Sequence, residues 1–421
     1  MRNYLVTSRS LLFCCCLMFM YSCKSGLNLF RPAFPHEAYQ NKLVNAGLDK
    51  TAMGMSWIDA ASESLDRALE IDIPFKETGY FAAEKVPAIA YKFSAVRGQK
   101  INVNLIKKPT EQFMVYLDVF EMEETGKTNR LTSADTLNSP VQMDVDENAT
   151  YLIRLQPELL KSGQYTLEIS AGPSLEFPIK TTRKNTIQSF FGDGRDGNSR
   201  KHEGVDIFAP LRTPVLAIAE GSVVRVNENN LGGKVVWMRP KGKNYTLYYA
   251  HLDEQIATDG QIVSPGDTLG LMGNTGNART TAPHLHFGIY TPSGAVDPLP
   301  YINPDIKPLP KISASLDHLN STMRNRFGEI VYISAANANR YRTELPDGSV
   351  NFSPAAQLSS VSKPLRKLKL SPTQAHLFDA PDSLAAVKAT LAAGEVVDLL
   401  GNFGSYHFVM DQRNQTGWVS K

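Results

Sequence analysis

The chain has 421 residues, a formal charge of +2, 42% hydrophobic residues and 20% charged residues. At roughly 150 residues per domain this length holds about two to four domains with real cores. A mean hydropathy of -0.23 with one conspicuous apolar run excludes a multi-span membrane protein, and so neutral a balance lacks the basic excess of a nucleic-acid binder.

The chain begins with its most unusual composition. All four cysteines, Cys14, Cys15, Cys16 and Cys23, fall at the start, which leaves none for disulfides or metal in the remainder. Arg2 and Arg9 precede an apolar stretch over residues 11–21 that is too short for a comfortable transmembrane helix. Residues 1–23 therefore read as a signal peptide of an exported protein. The run Met20-Tyr21-Ser22-Cys23 resembles a bacterial lipobox, with Tyr21 departing from the tighter pattern. That resemblance implies lipidation at Cys23 and a membrane-anchored lipoprotein facing the periplasm or cell envelope.

Residues 27–74 carry a helical pattern, with Trp57, Ile58, Ala61, Leu65, Ala68 and Leu69 recurring on one stripe. From Phe75 the period changes to two, as in Ile101/Val103/Leu105, Tyr151/Ile153/Leu155 and Tyr165/Leu167/Ile169, with turns at Arg97-Gly98 and Ser162-Gly163. Residues 75–182 are expected to form a β-sandwich, loosely similar to the pre-peptidase domains of secreted bacterial proteases. Gly-rich turns mark a further all-β block over 185–305. Residues 306–365 read as a linker or a degenerate small barrel, with a hairpin at Leu345-Pro346-Asp347-Gly348. The last segment, 366–421, pairs Leu391-Ala392-Ala393-Gly394-Glu395-Val396-Val397 with Gly417-Trp418-Val419 and resembles bacterial SH3-like domains. The fold class expected is mainly β and multidomain.

Four of the eight histidines lie between 202 and 286. Imidazoles clustered in a cysteine-free block suggest a metal. His202 and Asp206 supply a nitrogen and an anionic oxygen, a mix that suits zinc. In Pro283-His284-Leu285-His286-Phe287 the two histidines stand at i and i+2 of an expected strand, so both project from one face while Leu285 and Phe287 pack behind. His251, in Tyr248-Tyr249-Ala250-His251-Leu252, sits at a strand end. A hydrolytic zinc takes three protein ligands and keeps the fourth position open. His202, Asp206 and one of His284/His286 would complete it, and spacing does not choose between the pair.

The motifs Gly204-Val205-Asp206-Ile207-Phe208-Ala209-Pro210, Thr213-Pro214-Val215, Tyr249-Ala250-His251-Leu252, Gly273-Asn274-Thr275-Gly276 and His284-Leu285-His286-Phe287 stand in the order found in lysostaphin-type (LytM-like) zinc metallopeptidases. The resemblance runs over about residues 190–302. It implies a small antiparallel β-sheet domain with its site in a groove, a single Zn2+ held by His202, Asp206 and His286, and catalytic roles for His251 and His284. It also implies peptidoglycan as partner and substrate, cut at peptide bonds of stems or cross-bridges. Arg212 and Ala282 replace glycines usual in that family, Gly288 stands where an acid is frequent, and residues 277–281 lengthen a loop. Some such proteins lack ligands and only regulate other wall hydrolases; with all five positions filled, an enzyme is the first expectation and a wall-bound regulator with an idle site the second. A cupin-like oxygenase is disfavoured because cupins place His-x-His before the remaining ligands.

Overall fold

The computed structural model describes residues 33–180, 186–371 and 373–421. Cys23 and the signal segment lie outside the described residues. Helix α1 (Pro35–Asn45) opens on a proline, whose fixed φ suits a first helical position. Helix α2 (Ala52–Asp66) is capped by Thr51, whose Oγ1 accepts from the Gly54 amide at 3.1 Å. The stripe is buried at Trp57 and Ala61, while Ala68 and Leu69 fall beyond the helix and Leu69 opens a two-residue strand. The Trp57 indole donates to the Pro157 carbonyl at 2.8 Å, and Gln156 Nε2 donates to the Trp57 carbonyl at 2.7 Å. These bonds fasten the helical layer to a β-sheet.

That sheet has five strands, in the order Leu69–Glu70, Ile89–Ala95, Ala149–Pro157, Val115–Met122 and Thr128–Ser133. It packs on a nine-stranded sheet that contains β1 (Phe75–Phe81), Gly163–Pro173, Gln99–Lys108 and Val141–Asp144. The alternation legible in the sequence places Ile101, Val103, Tyr151, Ile153, Leu155, Leu167 and Ile169 in the common core, each at most 2% exposed.

The chain leaves this core at Pro173, and Leu175, Phe177 and Ile179 already pack on the next one. A ten-stranded sheet follows, all of its pairings antiparallel. Three of its strands carry the candidate site: β2 (Val205–Phe208), β3 (Thr246–Gln255) and β4 (His284–Thr291). Strand β4 lies between the other two and pairs with both.

Residues 321–360 hold five strands joined by short turns. Strand β5 (Ile330–Asn337) pairs with β1 through Thr78↔Ala336 and Gly79↔Ala335, so this segment widens the sandwich sheet. Next to β5 runs β6 (Arg340–Glu344), and Met323, Val331, Ile333, Ala336 and Tyr341 form a small core. The last six strands, from Arg366–Lys369 to Thr416–Ser420, close around Leu377, Leu391, Val397, Val409 and Val419. No helix among the described residues is long and apolar enough to cross a membrane.

Candidate metal centre

Register brings the site together. Across the β2–β4 pair Asp206 stands opposite His286 and Phe208 opposite His284, while Ala250 of β3 faces His286 from the other side. Directly opposed residues lie close enough for their side chains to meet. Leu285 and Phe287, on the other face of β4, are fully buried in the core. His202 arrives from the loop before β2, pinned by its amide to the Asp193 carbonyl and by its carbonyl to the Gly192 amide, both at 2.8 Å.

Three of the predicted residues converge. His202 Nε2, Asp206 Oδ1 and His286 Nδ1 form a triangle with sides of 3.0, 3.0 and 2.9 Å. The other ring nitrogen of His202 lies 2.9 Å from the Phe190 carbonyl, which can only accept, so Nδ1 carries the proton and Nε2 presents a lone pair to the cluster. A tetrahedral zinc with bonds of about 2.0–2.1 Å separates its ligand atoms by about 3.3 Å. The observed triangle is slightly tighter than that, and its two nitrogens and one anionic oxygen are a hydrolytic donor set. The residues present therefore fit a zinc ion. Burial alone would raise the pKa of Asp206, but its close contacts with His202 and His286 outweigh that and hold the carboxyl far below the usual range. Burial also lowers the pKa of His286, favouring the neutral imidazole that a metal requires.

Gly204 makes room for this arrangement. A Cβ there would lie 2.5 Å from the Phe287 carbonyl oxygen and 2.8 Å from the His286 ring.

The remaining two histidines flank the triangle. His251 Nδ1 is 2.9 Å from the Thr275 carbonyl and His284 Nδ1 is 2.8 Å from the Ala282 carbonyl, so each ring is fixed as the tautomer with a bare Nε2. Their ring centroids are 5.0 Å apart, and His251 lies 5.8 Å from His286. Burial, with the nearby His286 and His284, lowers the pKa of His251 to about 4. It is therefore neutral at physiological pH and able to accept a proton. His251 has φ +62° at a bulge between β3 and its neighbour Gly233–Pro240, a conformation that turns its side chain out of the strand's alternation.

Arg195 belongs to the site although no motif pointed to it. Its Nη2 donates to Asp206 Oδ2 at 2.9 Å and to Ser189 Oγ at 2.6 Å, which leaves Oδ1 to the histidines. An open cleft of about 680 Å³ exposes the cluster, walled on one side by Trp237, Tyr248 and Tyr290. Their rings pack at a tilt, with Trp237 4.3 Å from Tyr248 and 5.4 Å from Tyr290, and form an aromatic face beside the cluster.

The departures from the family pattern have local reasons. Arg212 adopts φ +61°, the region that favours glycine, and its guanidinium pairs with Asp253 and Glu254. At Gly288 a Cβ would lie 3.0 Å from the Tyr290 ring and 3.2 Å from the Glu203 carbonyl oxygen, so an acid there would crowd the aromatic wall. Asn277, Ala278 and Thr281 of the longer loop line the cleft.

An antiparallel sheet that presents a His-Asp-His chelate in an open cleft defines a candidate metallohydrolase domain. Residues 200–298 match the model of peptidase family M23. The chain is 36% identical over 139 residues to the L-Ala--D-Glu endopeptidase of Bacillus subtilis, covering 30% of this chain and 42% of that protein. It is 36% identical over 91 residues to the peptidoglycan DD-endopeptidase ShyC of Vibrio cholerae, covering 22% of this chain and 20% of the other. Among solved structures, the catalytic domain of lysostaphin from Staphylococcus simulans is 32% identical, with 27% of this chain and 90% of that one covered and a TM-score of 0.25. The chain thus spans less than half the length of either curated relative.

Proposed function

We propose that the chain is a zinc metalloendopeptidase that hydrolyses peptide bonds in peptidoglycan stem peptides or cross-bridges, exported and held at a membrane through a lipid on Cys23. The observation that carries this reading is the convergence of His202 Nε2, Asp206 Oδ1 and His286 Nδ1 beside two histidines with fixed tautomers. The match of residues 200–298 to the M23 family supports it, as do the wall-peptidase names of the relatives.

Zinc would supply Lewis acidity at this cluster, acidifying water and polarising a peptide carbonyl. The chain's own residues do the rest. His251, neutral and with its Nε2 bare, takes the proton of an attacking water and, as the imidazolium so formed, returns it to the leaving amine. His284, locked by the Ala282 carbonyl and stacked on Phe208 at 4.9 Å, is placed to hydrogen-bond the oxyanion once its bare Nε2 has taken up a proton. The two histidines can exchange these tasks. Trp237, Tyr248 and Tyr290 hold the peptide against the cleft wall and keep bulk water from that side.

Metal content measured beside turnover in five purified variants tests the assignment. His202→Ala, Asp206→Ala and His286→Ala should lose zinc and activity together. His251→Ala and His284→Ala should keep near-stoichiometric zinc and fall by about a hundredfold or more in rate. Zinc lost from His284→Ala but kept by His286→Ala would overturn the division of roles.

A further inference from the structure

A second cleft, of about 600 Å³, opens where the nine-stranded sheet extends past the five-stranded sheet packed on it. Helix α2 forms one wall and strands β5 and β6 the floor. Its size falls within the range of small-molecule sites, about 300–1,000 Å³.

The floor is a buried cation. Arg342, 2% exposed, directs Nε to Ser334 Oγ at 2.9 Å and Nη1 to Glu77 Oε1 at 2.7 Å and Tyr165 Oη at 3.0 Å, with Tyr91 also bonded to Nη1. Burial holds both tyrosines neutral by raising their pKa values. Nη2 has no acceptor among the described residues, and Arg342 lines the cleft. A guanidinium fixed on three sides, with one donor edge facing an accessible cavity, is a preorganised partner for an anionic oxygen.

The rim sets which anion. Lys85 pairs with Glu344 at 3.2 Å and lies over the Tyr332 ring, and Asp347 stands beside them. Around the mouth Glu63, Glu344 and Asp347 outnumber Arg67 and Lys85, and this excess of carboxylate repels a phosphate dianion but attracts the ammonium of a ligand whose carboxylate leads inward. We propose that this cleft binds the free carboxyl end of a short peptide, with the carboxylate on Arg342 Nη2 and the peptide's amino end toward Glu344 and Asp347.

Calorimetric titration of the full chain with tri-alanine and with tri-alanine amide tests the idea. The free acid should bind, and the amide should bind about tenfold to a hundredfold more weakly, as expected for one charge-assisted hydrogen bond. Ala60→Trp, which fills the cleft from α2 without touching the buried network, should abolish binding while muropeptide turnover persists. The paired change Glu77→Gln with Arg342→Met removes the buried cation without stranding its carboxylate and should abolish binding as well. Equal affinity for acid and amide, binding unchanged in Ala60→Trp, or no binding of the acid at millimolar concentration would each overturn the proposal.

Discussion

Arg195 shows how a single side chain can shape a candidate metal site without joining its ligand cluster. Its bond to Asp206 Oδ2 fixes the carboxylate plane, so one oxygen is committed to the cluster. Arg195→Met should leave the fold intact and weaken zinc binding by about tenfold to a hundredfold, measured by competition with a chelator. Unchanged affinity would show the pair to be incidental. His36 is the residue-scale counterpart in the helical layer. It is buried, stacked on Trp57 at 4.7 Å and bonded to Gln156 at 2.6 Å. Burial, reinforced by Arg154, lowers its pKa to about 4. The unfolded chain, with an imidazole near 6.5, therefore binds more protons between about pH 4 and 6.5. Stability of this layer should be complete above that window and fall as pH drops through it, by up to about 3 kcal/mol. Amide hydrogen exchange of α2 at pH 7 and pH 5 should reveal that loss, and His36→Gln should flatten it. Neither residue announced itself in the sequence. An arginine three positions past a glycine turn, and a lone histidine in a helix, acquire their roles only from partners 11 and 120 positions away.

Strand alternation was the part of the site most directly readable at the level of elements. His284 and His286 share a face of β4 because a strand's side chains alternate, and Leu285 and Phe287 are fully buried behind them. The choice of His286 over His284 was not readable from spacing. It depends on register across the strands, which sets Asp206 opposite His286 and Phe208 opposite His284. The bulge that gives His251 a positive φ was equally invisible, since nothing in Tyr249-Ala250-His251-Leu252 marks a break in pairing. Gly204 links sequence and packing, because the small residue two positions before Asp206 is the space the His286 ring occupies. Gly204→Ala should preserve the sheet's circular dichroism but displace that ring. Zinc content and turnover should drop together. A variant with full zinc and wild-type rate would mean that the backbone yields there at little cost.

Over the whole molecule, the sequence marked where strands begin and end far better than which sheet each strand joins. Residues 321–360 show the limit: their hairpin at Leu345-Pro346-Asp347-Gly348 was legible, but the pairing of β5 with β1 joins positions more than 250 residues apart. Beside that pairing the buried Glu77 and Arg342 meet across the sheet, a contact no local pattern encodes. The terminal strands contribute no residue to the His-Asp-His cluster. They touch the rest of the chain through Arg324 Nη1 donating to the Leu400 carbonyl and the Asn402 amide donating to the Gly328 carbonyl at 2.9 Å. Because 366–421 resembles SH3-like domains, which hold wall enzymes on their polymer, and supplies no residue of the cluster, deleting it should weaken pull-down on purified sacculi and leave cleavage of a small soluble muropeptide in place. Loss of both in a folded truncation would contradict a separable wall-binding role. The central claim is that zinc at His202, Asp206 and His286 enables peptide hydrolysis in the wall polymer. Mass spectrometry of cross-linked muropeptides, incubated with protein stripped of metal and then restored with one equivalent of zinc, tests it most directly. New fragments with a free amine and a free carboxylate should appear only after zinc is restored and be absent with Asp206→Ala. Intact muropeptides in the presence of stoichiometrically bound zinc, or the same fragments from stripped protein, would contradict it.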